Sequence, residues 1–253
     1  IPLIASCAVR NTETVGTAEN QDQLLLSVLW FQKSAEMQAL YYQGYNVAQR
    51  SLAEKLENPT SNKPKAVVLD IDETVLDNSP SEVYLIENNV PYSDEIWKKW
   101  VNIASAKACP GALEFTKFAE SKGVAVFYVT NRDMPDELDP TIVNLQKLGF
   151  PYADKTHMML RDGISSKEIR RGIITDKYDI LVLIGDNLSD FDSVFDKRGS
   201  DLGFGAVEEN EDKFGTDFII LPNPMYGAWV NAAIKDARGA TTREKILNTL
   251  EGF

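Results

Sequence analysis

A run of apolar residues is followed at once by acidic ones in the stretch VVLDIDETVLDN, residues 67–78. Side chains two positions apart at the end of a strand project to the same side, so the carboxylates of Asp70 and Asp72 should approach each other. Two unpaired carboxylates repel, which either raises one pKa or calls for a cation. A helix cap or a solvated loop is the simpler explanation for such a pair alone, so the pair needs support from elsewhere in the chain.

A second acidic pair follows another apolar run, in LIGDNLSDFD at residues 183–192. Asp186 ends the run, and Asp190 comes four residues later, about one helical turn. Aspartates that converge from two strands form a hard, oxygen-rich site of the kind that Mg²⁺ prefers. The sequence therefore predicts a magnesium site built from Asp70, Asp72, Asp186 and Asp190.

Other metals and other nucleophilic mechanisms fit this sequence less well. A calcium loop of the D-x-[DN]-x-[DN]-G type with a glutamate at its twelfth position is absent from the sequence. Zinc sites use histidine and cysteine, and the chain has one histidine, His157, and no close pair of cysteines. Because Ser-His-Asp and Cys-His mechanisms also need a positioned histidine, we expect a structural or surface role for His157.

Apolar runs that alternate with helical patterns predict the frame that holds these residues. The apolar runs are 66–71, 124–129, 180–184 and 218–221. The helical patterns lie near 111–122, 136–148, 165–175, 188–197 and 226–237. Short apolar strands separated by helices indicate an α/β fold with a parallel sheet covered on both faces, in which ligands bind at the carboxyl ends of the strands. Thr130, Asn131 and Arg132 directly follow the second run and are candidates for that edge.

Three segments lie outside this alternation. Residues 20–57 are predicted to be helical, with Gly44 as a point where one helix would become two. Residues 78–108 are rich in aromatic and charged side chains and are interpreted as a helical cap insertion. Residues 1–19 read as a signal-peptide remnant and tether, and the residues before Cys7 resemble a bacterial lipobox, which would make Cys7 a lipidation site. We therefore expect an exported protein, either periplasmic or a lipoprotein of the bacterial outer membrane or cell surface.

The composition excludes several classes of partner. The net charge of −12 argues against a nucleic-acid partner, and the basic stretch KEIRR at 167–171 is too short to form a phosphate-binding footprint. No segment approaches the roughly 20 apolar residues of a spanning helix. We expect membrane contact only through a lipid anchor at Cys7, and the choice between monomer and homodimer stays open.

Four motifs, in order, resemble those of the haloacid-dehalogenase-like (HAD) phosphatases. DIDET at 70–74 matches the DxDxT signature, VFYVTNR supplies Thr130, ISSKEIRR supplies Lys167, and GDNLSD at 185–190 matches G-D-x-x-x-D. Within that superfamily, DIDETVLDN, FYVTNR, GDNLSDF, the N-terminal helices and the lipobox resemble class C acid phosphatases, which are bacterial lipoprotein 5′-nucleotidases. The resemblance implies a HAD-like Rossmannoid sheet flanked by helices, with a smaller helical cap and N-terminal helical subdomain, over residues 20–253.

The resemblance also implies roles for individual residues. Asp70 would attack phosphorus, and Asp72 would protonate the leaving alkoxide and later activate water. Thr130 and the backbone around Asn131 would hold phosphoryl oxygens, and Lys167 would add positive charge to the same oxygens.

The same family pattern implies how Mg²⁺ is held and which substrates bind. Asp70 and Asp186 would ligate the ion together with the main-chain carbonyl of Asp72, and Asp190 would act through bound water. Trp97, Trp100 and Tyr226 would clamp the ring of a small phosphomonoester, such as a nucleoside 5′-monophosphate or nicotinamide mononucleotide. Such aromatic spacings are also common in ordinary cores.

Two alternative functions remain at this level. One is a surface-displayed binding lipoprotein, for instance one that captures haem, which a single histidine supports poorly. The other is a protein phosphatase with a DxDxT motif, which would need an open groove in place of an aromatic cap. We favour the magnesium-dependent phosphomonoesterase.

Overall fold

A computed structural model describes residues 21–252 and is built around a five-stranded parallel sheet. The strands in this part of the chain are β1 (Lys65–Leu69), β2 (Leu76–Asp77), β3 (Lys107–Ala108), β4 (Ala125–Asp133), β5 (Met158–Arg161), β6 (Asp179–Gly185) and β7 (Phe218–Ile220). The main sheet has the order β5-β4-β1-β6-β7, and β2 pairs with β3 in a separate antiparallel ribbon. The predicted α/β fold with a parallel sheet is therefore confirmed.

Ten α-helices lie between and around these strands within residues 21–252. They are α1 (Leu25–Lys33), α2 (Ala35–Glu57), α3 (Ser79–Asn88), α4 (Asp94–Ile103), α5 (Ala112–Ser121), α6 (Leu138–Leu148), α7 (Glu168–Lys177), α8 (Phe204–Glu208), α9 (Ala228–Ile234) and α10 (Thr242–Thr249). No helix in that range is long and apolar enough to cross a membrane.

The central strands are apolar on both faces because each face has its own core. Val67 and Leu69 of β1 pack into the larger core, whereas Ala66 and Val68 pack into a smaller core on the opposite face. Since side chains alternate along a strand, this pattern requires helices on both sides. The arrangement leaves only the ends of the strands free to carry polar residues.

The four predicted apolar runs all form strands, but one strand of the main sheet was not predicted and one predicted helix is absent. β5 was missed because it is short. Its Met158 and Leu160 are buried while the residues between and after them are only partly covered, so it lacks a continuous apolar run. The helix expected near 188–197 is replaced by two 3₁₀ turns, Leu188–Asp190 and Ser193–Phe195. The carboxylates of Asp190 and Asp192 accept hydrogen bonds from nearby backbone N–H groups there, which competes with a regular helix.

The N-terminal helices divide at Ser34, not at Gly44. Ser34 caps α2 by accepting a hydrogen bond from Met37 N at 3.1 Å. α2 runs through Gly44 without a break. A Cβ at this position would lie 2.5 Å from Leu221 Cδ2, so the glycine permits the close packing of the helix against the sheet. The buried Tyr45 of α2 donates its hydroxyl proton to the carbonyl of Thr74 at 2.9 Å, so α2 braces the DIDET segment.

The insertion between the first two strands of the main sheet contains α3 and α4. It is closed at its base by the ribbon of β2 and β3, in which Leu76 is paired with Ala108. α4 packs against α6, and α3 packs against α1. Side chains of α3 and α4 thereby come to lie beside the carboxyl ends of the main strands.

Candidate active site

Asp70 lies directly after β1 and is 6% exposed. Its backbone N–H donates to the carbonyl of Ile184 on β6 at 2.9 Å, which continues the sheet bonding to the end of the strand. Lys167 donates to one carboxylate oxygen of Asp70, and the hydroxyl of Thr74 lies 3.4 Å from the other. Burial raises the pKa of Asp70 to about 7, although the charge of Lys167 opposes that rise.

The carboxylates of Asp70, Asp186 and Asp190 converge at this edge of the sheet, with candidate ligand atoms that all lie within 4.8 Å of one another. Asn223 donates to Asp186 Oδ2 at 2.7 Å and fixes the orientation of that side chain. Burial, with the charges of Asp190 and Asp70, raises the pKa of Asp186 well above its ordinary range. Oxygen donors gathered in this way suit a hard divalent cation.

Lys167 is the residue immediately before α7 and forms the positive centre of this cluster. It is 4% exposed and donates to Asp190 Oδ1 at 2.6 Å as well as to Asp70. Burial acts to lower the pKa of Lys167, but the charges of Asp190 and Asp70 outweigh it and raise the pKa above its usual value. The lysine is therefore held in its charged form between two carboxylates.

Gly185 explains how Asp190 reaches this position. Asp190 Oδ2 accepts the backbone N–H of Asn187 at 2.9 Å and folds back over the end of β6. A Cβ on residue 185 would lie 2.2 Å from that oxygen and 2.6 Å from Asp190 Cγ, so the backbone at this point needs glycine. The G-D-x-x-x-D spacing is thus a steric requirement of the acidic cluster.

The carboxylate of Asp72 points away from this cluster and toward Arg132. Its Oδ1 accepts hydrogen bonds from Arg132 Nε at 2.9 Å, Arg132 Nη2 at 2.8 Å and Asn78 Nδ2 at 2.8 Å. Its Oδ2 accepts a bond from the hydroxyl of Thr130 at 3.1 Å. The Arg132 guanidinium also lies 5.6 Å from the ring centroid of Trp97. Arg132 therefore links Asp72 to the aromatic wall of the site.

Arg170 and Arg171 were not predicted as site residues, and both are buried. Arg132, which was a candidate for this edge of the sheet without a stated role, is buried as well. Arg170 donates to the carbonyl of Thr130 and to Asn131 Oδ1, the latter at 2.7 Å. Arg171 donates to the carbonyl of Asp190 at 3.0 Å. Arg170 and Arg171 thus hold the end of β4 and the turn that carries Asp190 in place.

A cavity of about 640 Å³ opens above the acidic cluster. Its lining includes Asp70, Asp72, Trp97, Asn131, Lys167, Asp186, Asp190 and Tyr226. Trp97 donates to Glu137 Oε2 at 3.3 Å, which fixes the indole on the cavity wall. The cavity joins the predicted charged groups to two of the three predicted aromatic side chains.

Several predicted residues lie elsewhere. Trp100 does not line the cavity; it donates to Asn78 Oδ1 at 2.8 Å and packs against the larger core. Thr130 is fully buried, and its hydroxyl is directed at Asp72. His157 packs against the rings of Phe127 and Tyr152 in tilted and edge-on geometry, in agreement with a structural role. The proposed lipidation site Cys7 lies outside the described residues.

Comparisons with known proteins agree with this architecture. The chain is 42% identical to the class C acid phosphatase from Bacillus anthracis, with a TM-score of 0.84, over 92% of this chain and 98% of that chain. A second structure of the class C acid phosphatase from that organism, with tungstate bound, is 41% identical over the same shares of the two chains, with a TM-score of 0.85. A curated relative, the stem 31 kDa glycoprotein of Glycine max, is 28% identical over 168 residues.

The match to the plant protein covers 63% of this chain and 58% of the relative, so the chain spans less than two thirds of that protein. A family model described as HAD superfamily, subfamily IIIB (acid phosphatase), matches residues 5–229, which is most of the chain. The protein therefore belongs to subfamily IIIB of the HAD superfamily, the acid phosphatases.

Proposed function

We propose that this protein is a magnesium-dependent phosphomonoesterase that hydrolyses nucleoside 5′-monophosphates, nicotinamide mononucleotide and related small monoesters through an aspartyl-phosphate. One observation carries the proposal: the buried Asp70 lies with Lys167, Asp186 and Asp190 at the floor of a cavity of about 640 Å³. That volume falls within the roughly 300–1,000 Å³ of small-molecule sites. Tungstate, which a structural neighbour binds, is an oxyanion, as phosphate is.

Three carboxylates in this site fit Mg²⁺ by their donor chemistry. Asp70, Asp186 and Asp190 offer only oxygen donors, gathered within 4.8 Å of one another, and Mg²⁺ prefers such ligands while retaining several waters. We assign Asp70 and Asp186 as direct ligands with the main-chain carbonyl of Asp72. Asp190, already bonded to Lys167, acts through bound water. When bound, the ion supplies positive charge that offsets the repulsion between these carboxylates and a phosphate dianion.

Asp70 is the proposed nucleophile. One of its carboxylate oxygens bonds to phosphorus while the bond from phosphorus to the leaving alcohol breaks, which gives an aspartyl-phosphate. A water oxygen then bonds to phosphorus, the bond to the Asp70 oxygen breaks, and the carboxylate is regenerated. Lys167 offsets negative charge on Asp70 and on the phosphoryl oxygens in both steps. The backbone around Asn131, which lies on the cavity wall, holds the same oxygens.

Asp72 is the proposed proton donor and acceptor, and we assign that task to its Oδ2 oxygen. Oδ1 already accepts hydrogen bonds from three N–H donors of Arg132 and Asn78. Oδ2 has the Thr130 hydroxyl as its one hydrogen-bond partner among residues 21–252. A hydroxyl can donate or accept, so Thr130 tolerates Oδ2 in either protonation state. In the first step the Oδ2 proton passes to the leaving alkoxide, and in the second Oδ2 takes a proton from the attacking water.

Ring recognition is assigned to Trp97 and Tyr226, which line the cavity. Aromatic faces stack on nucleobases and on nicotinamide. Trp100 takes no part in this recognition, because its indole is engaged with Asn78. The clamp therefore consists of one side chain from the insertion and one from the segment after β7.

The location of the protein is a separate proposal that rests on the sequence around Cys7. We propose export and acylation of the Cys7 thiol, with attachment to the outer membrane or cell surface. Metabolic labelling of the full-length protein with an alkynyl fatty acid should give signal in the wild type and none in Cys7→Ser. Equal labelling of both proteins would contradict lipidation at Cys7.

The test of the proposed function is phosphate release from a panel of nucleoside 5′-monophosphates plus nicotinamide mononucleotide, with Mg²⁺ or with EDTA. We expect Mg²⁺-dependent release that Asp70→Asn abolishes. The matched control is Asp176→Asn, which removes the same charge from an exposed position on α7. Absence of release by well-folded, Mg²⁺-loaded wild-type protein would refute the assignment.

A further inference from the structure

Glu82 is a buried acidic residue on the wall of the same cavity and has no role in the chemistry above. It lies in the first turn of α3 and is 7% exposed. Within residues 21–252, its carboxyl group forms no hydrogen bond and no ion pair. A carboxyl group that is largely shielded from water costs free energy unless it gains a partner.

Part of the wall of this cavity is apolar. Leu85, one turn further along α3, lines the cavity together with Leu24 and Met225. Burial alone raises the pKa of Glu82 to about 7, and no opposite charge counters it. The cavity therefore combines apolar lining side chains with a carboxyl group that has no partner within residues 21–252, and apolar walls with a few polar groups are typical of ligand pockets.

The helix dipole does not explain this burial. An acidic residue in the first turn stabilises a helix, but it does so equally well from an exposed position. α4 shows that arrangement, since its first-turn residues Asp94 and Glu95 are both exposed. Glu82 is buried instead and lines the cavity.

We propose that Glu82 is a specificity-determining residue, which favours leaving groups that carry a positive charge or an N–H or O–H donor into the apolar part of the cavity. The inference rests on the proposed function and adds a selection by charge to the stacking by Trp97 and Tyr226. A cationic ring gains an ion pair with Glu82 in surroundings that exclude water, where such a pair is stronger than at the surface. A neutral ring of the same shape gains stacking only.

Two substrates of nearly identical shape isolate this effect. Nicotinamide mononucleotide carries a cationic pyridinium ring, and its reduced form carries a neutral dihydropyridine. We expect wild-type protein above pH 7, where the Glu82 carboxyl is ionised, to favour the cationic form in kcat/KM, mainly through a lower KM. Glu82→Gln should reduce that preference by about tenfold, the equivalent of one charge-assisted hydrogen bond. A short alkyl phosphate, assayed with each variant, normalises for the phosphoryl-transfer step.

The matched control is Glu87→Gln, on the same helix. Glu87 is exposed and does not line the cavity, so its substitution removes the same charge without changing the wall. The preference for the cationic substrate should be the same in Glu87→Gln as in the wild type. An equal change of this preference in both variants would mean that the loss of one negative charge anywhere on the helix explains it, and that would overturn the proposal.

A second measurement needs no variant. The inhibition constants of nicotinamide riboside and its reduced form, measured on wild-type protein, compare the two rings without the phosphate. Tighter binding of the cationic riboside supports the role of Glu82, and equal binding overturns it.

The failure of this inference can be told apart from the failure of the proposed function. If the wild type hydrolyses both mononucleotides but Glu82→Gln keeps the wild-type ratio of their kcat/KM values, this inference fails and the proposed function stands. If no phosphate is hydrolysed at all, the proposed function fails with it.

Discussion

Substitution of Gly185 by alanine tests whether the acidic cluster depends on the backbone that carries it. The added Cβ would lie 2.2 Å from Asp190 Oδ2, 2.5 Å from its Cβ and 2.6 Å from its Cγ. Because ordinary contacts of a Cβ exceed about 3.4 Å, the Asp190 side chain must move by about 1 Å. It would then weaken its bonds to Lys167 at 2.6 Å and to the Asn187 N–H at 2.9 Å.

The expected loss of activity follows from that displacement. A misplacement of about 1 Å in a catalytic constellation costs roughly 100-fold in rate, or about 2.7 kcal/mol in the barrier. Crowding of this kind also lowers the free energy of unfolding by about 1–3 kcal/mol. We therefore expect kcat/KM of Gly185→Ala to fall about 100-fold under conditions where the protein is still fully folded.

The assay compares Gly185→Ala with Gly172→Ala, using steady-state hydrolysis of a nucleoside 5′-monophosphate and urea unfolding. Gly172 lies in the interior of α7, and a Cβ there would meet no heavy atom within 4 Å. Alanine at that position should raise the unfolding free energy by about 0.5–1 kcal/mol and leave activity near the wild-type value. A folded Gly185→Ala protein with more than half of the wild-type kcat/KM would refute the reasoning.

Three further outcomes are expected. Arg132→Lys should lower kcat/KM by roughly tenfold or more, because a lysine ammonium cannot reproduce the two contacts that Arg132 Nε and Nη2 make with Asp72. An Arg132→Lys protein with the kcat/KM of the wild type would contradict this. Below about pH 4.5, the ordinary pKa of a glutamate, Glu82 is neutral in both the folded and the unfolded state, and as the pH rises to about 7 only the unfolded state has released its proton. The stability that Glu82 contributes is therefore complete at low pH and is lost by roughly 3 kcal/mol as the pH passes 7, and urea unfolding of Glu82→Gln should show a smaller decline than the wild type. Trp97→Leu should raise KM for nucleotides more than KM for a short alkyl phosphate. Trp100→Leu should lower the unfolding free energy without changing that selectivity, because the Trp100 indole bonds to Asn78. The reverse pattern would show that Trp100, and not Trp97, belongs to the clamp.

Local pattern was sufficient to predict the strands whose side chains are buried on both faces. It was also sufficient to place Asp70 and Asp186 at the carboxyl ends of β1 and β6, because each residue directly follows one of these strands. β5 was not predicted, because alternating burial over four residues is too short a pattern to recognise in the sequence. The helix expected near 188–197 failed because Asp190 and Asp192 bond to the backbone of their own turns.

The partners of the acidic residues could not be predicted, because they come from distant parts of the chain. Arg132 reaches Asp72 across 60 positions, and the direction of a side chain depends on packing that no local pattern records. For Arg170 and Arg171 a signal did exist: they follow Lys167 by three and four residues and so share its face of a helix. Their burial, and that of Glu82, became evident only from the packed structure.

The most direct test of the central claim is to detect the phosphoryl group on Asp70. Wild-type protein is mixed rapidly with a nucleoside 5′-monophosphate that carries a radiolabelled phosphoryl group, and the reaction is quenched in acid during turnover. We expect label on the denatured protein, in the peptide that contains Asp70. Once formed, the label should decay more slowly in Asp72→Asn, which cannot activate water efficiently, and it should be absent in Asp70→Asn. Rapid release of phosphate by the wild type with no label on that peptide, in either the wild type or Asp72→Asn, would contradict an aspartyl-phosphate mechanism.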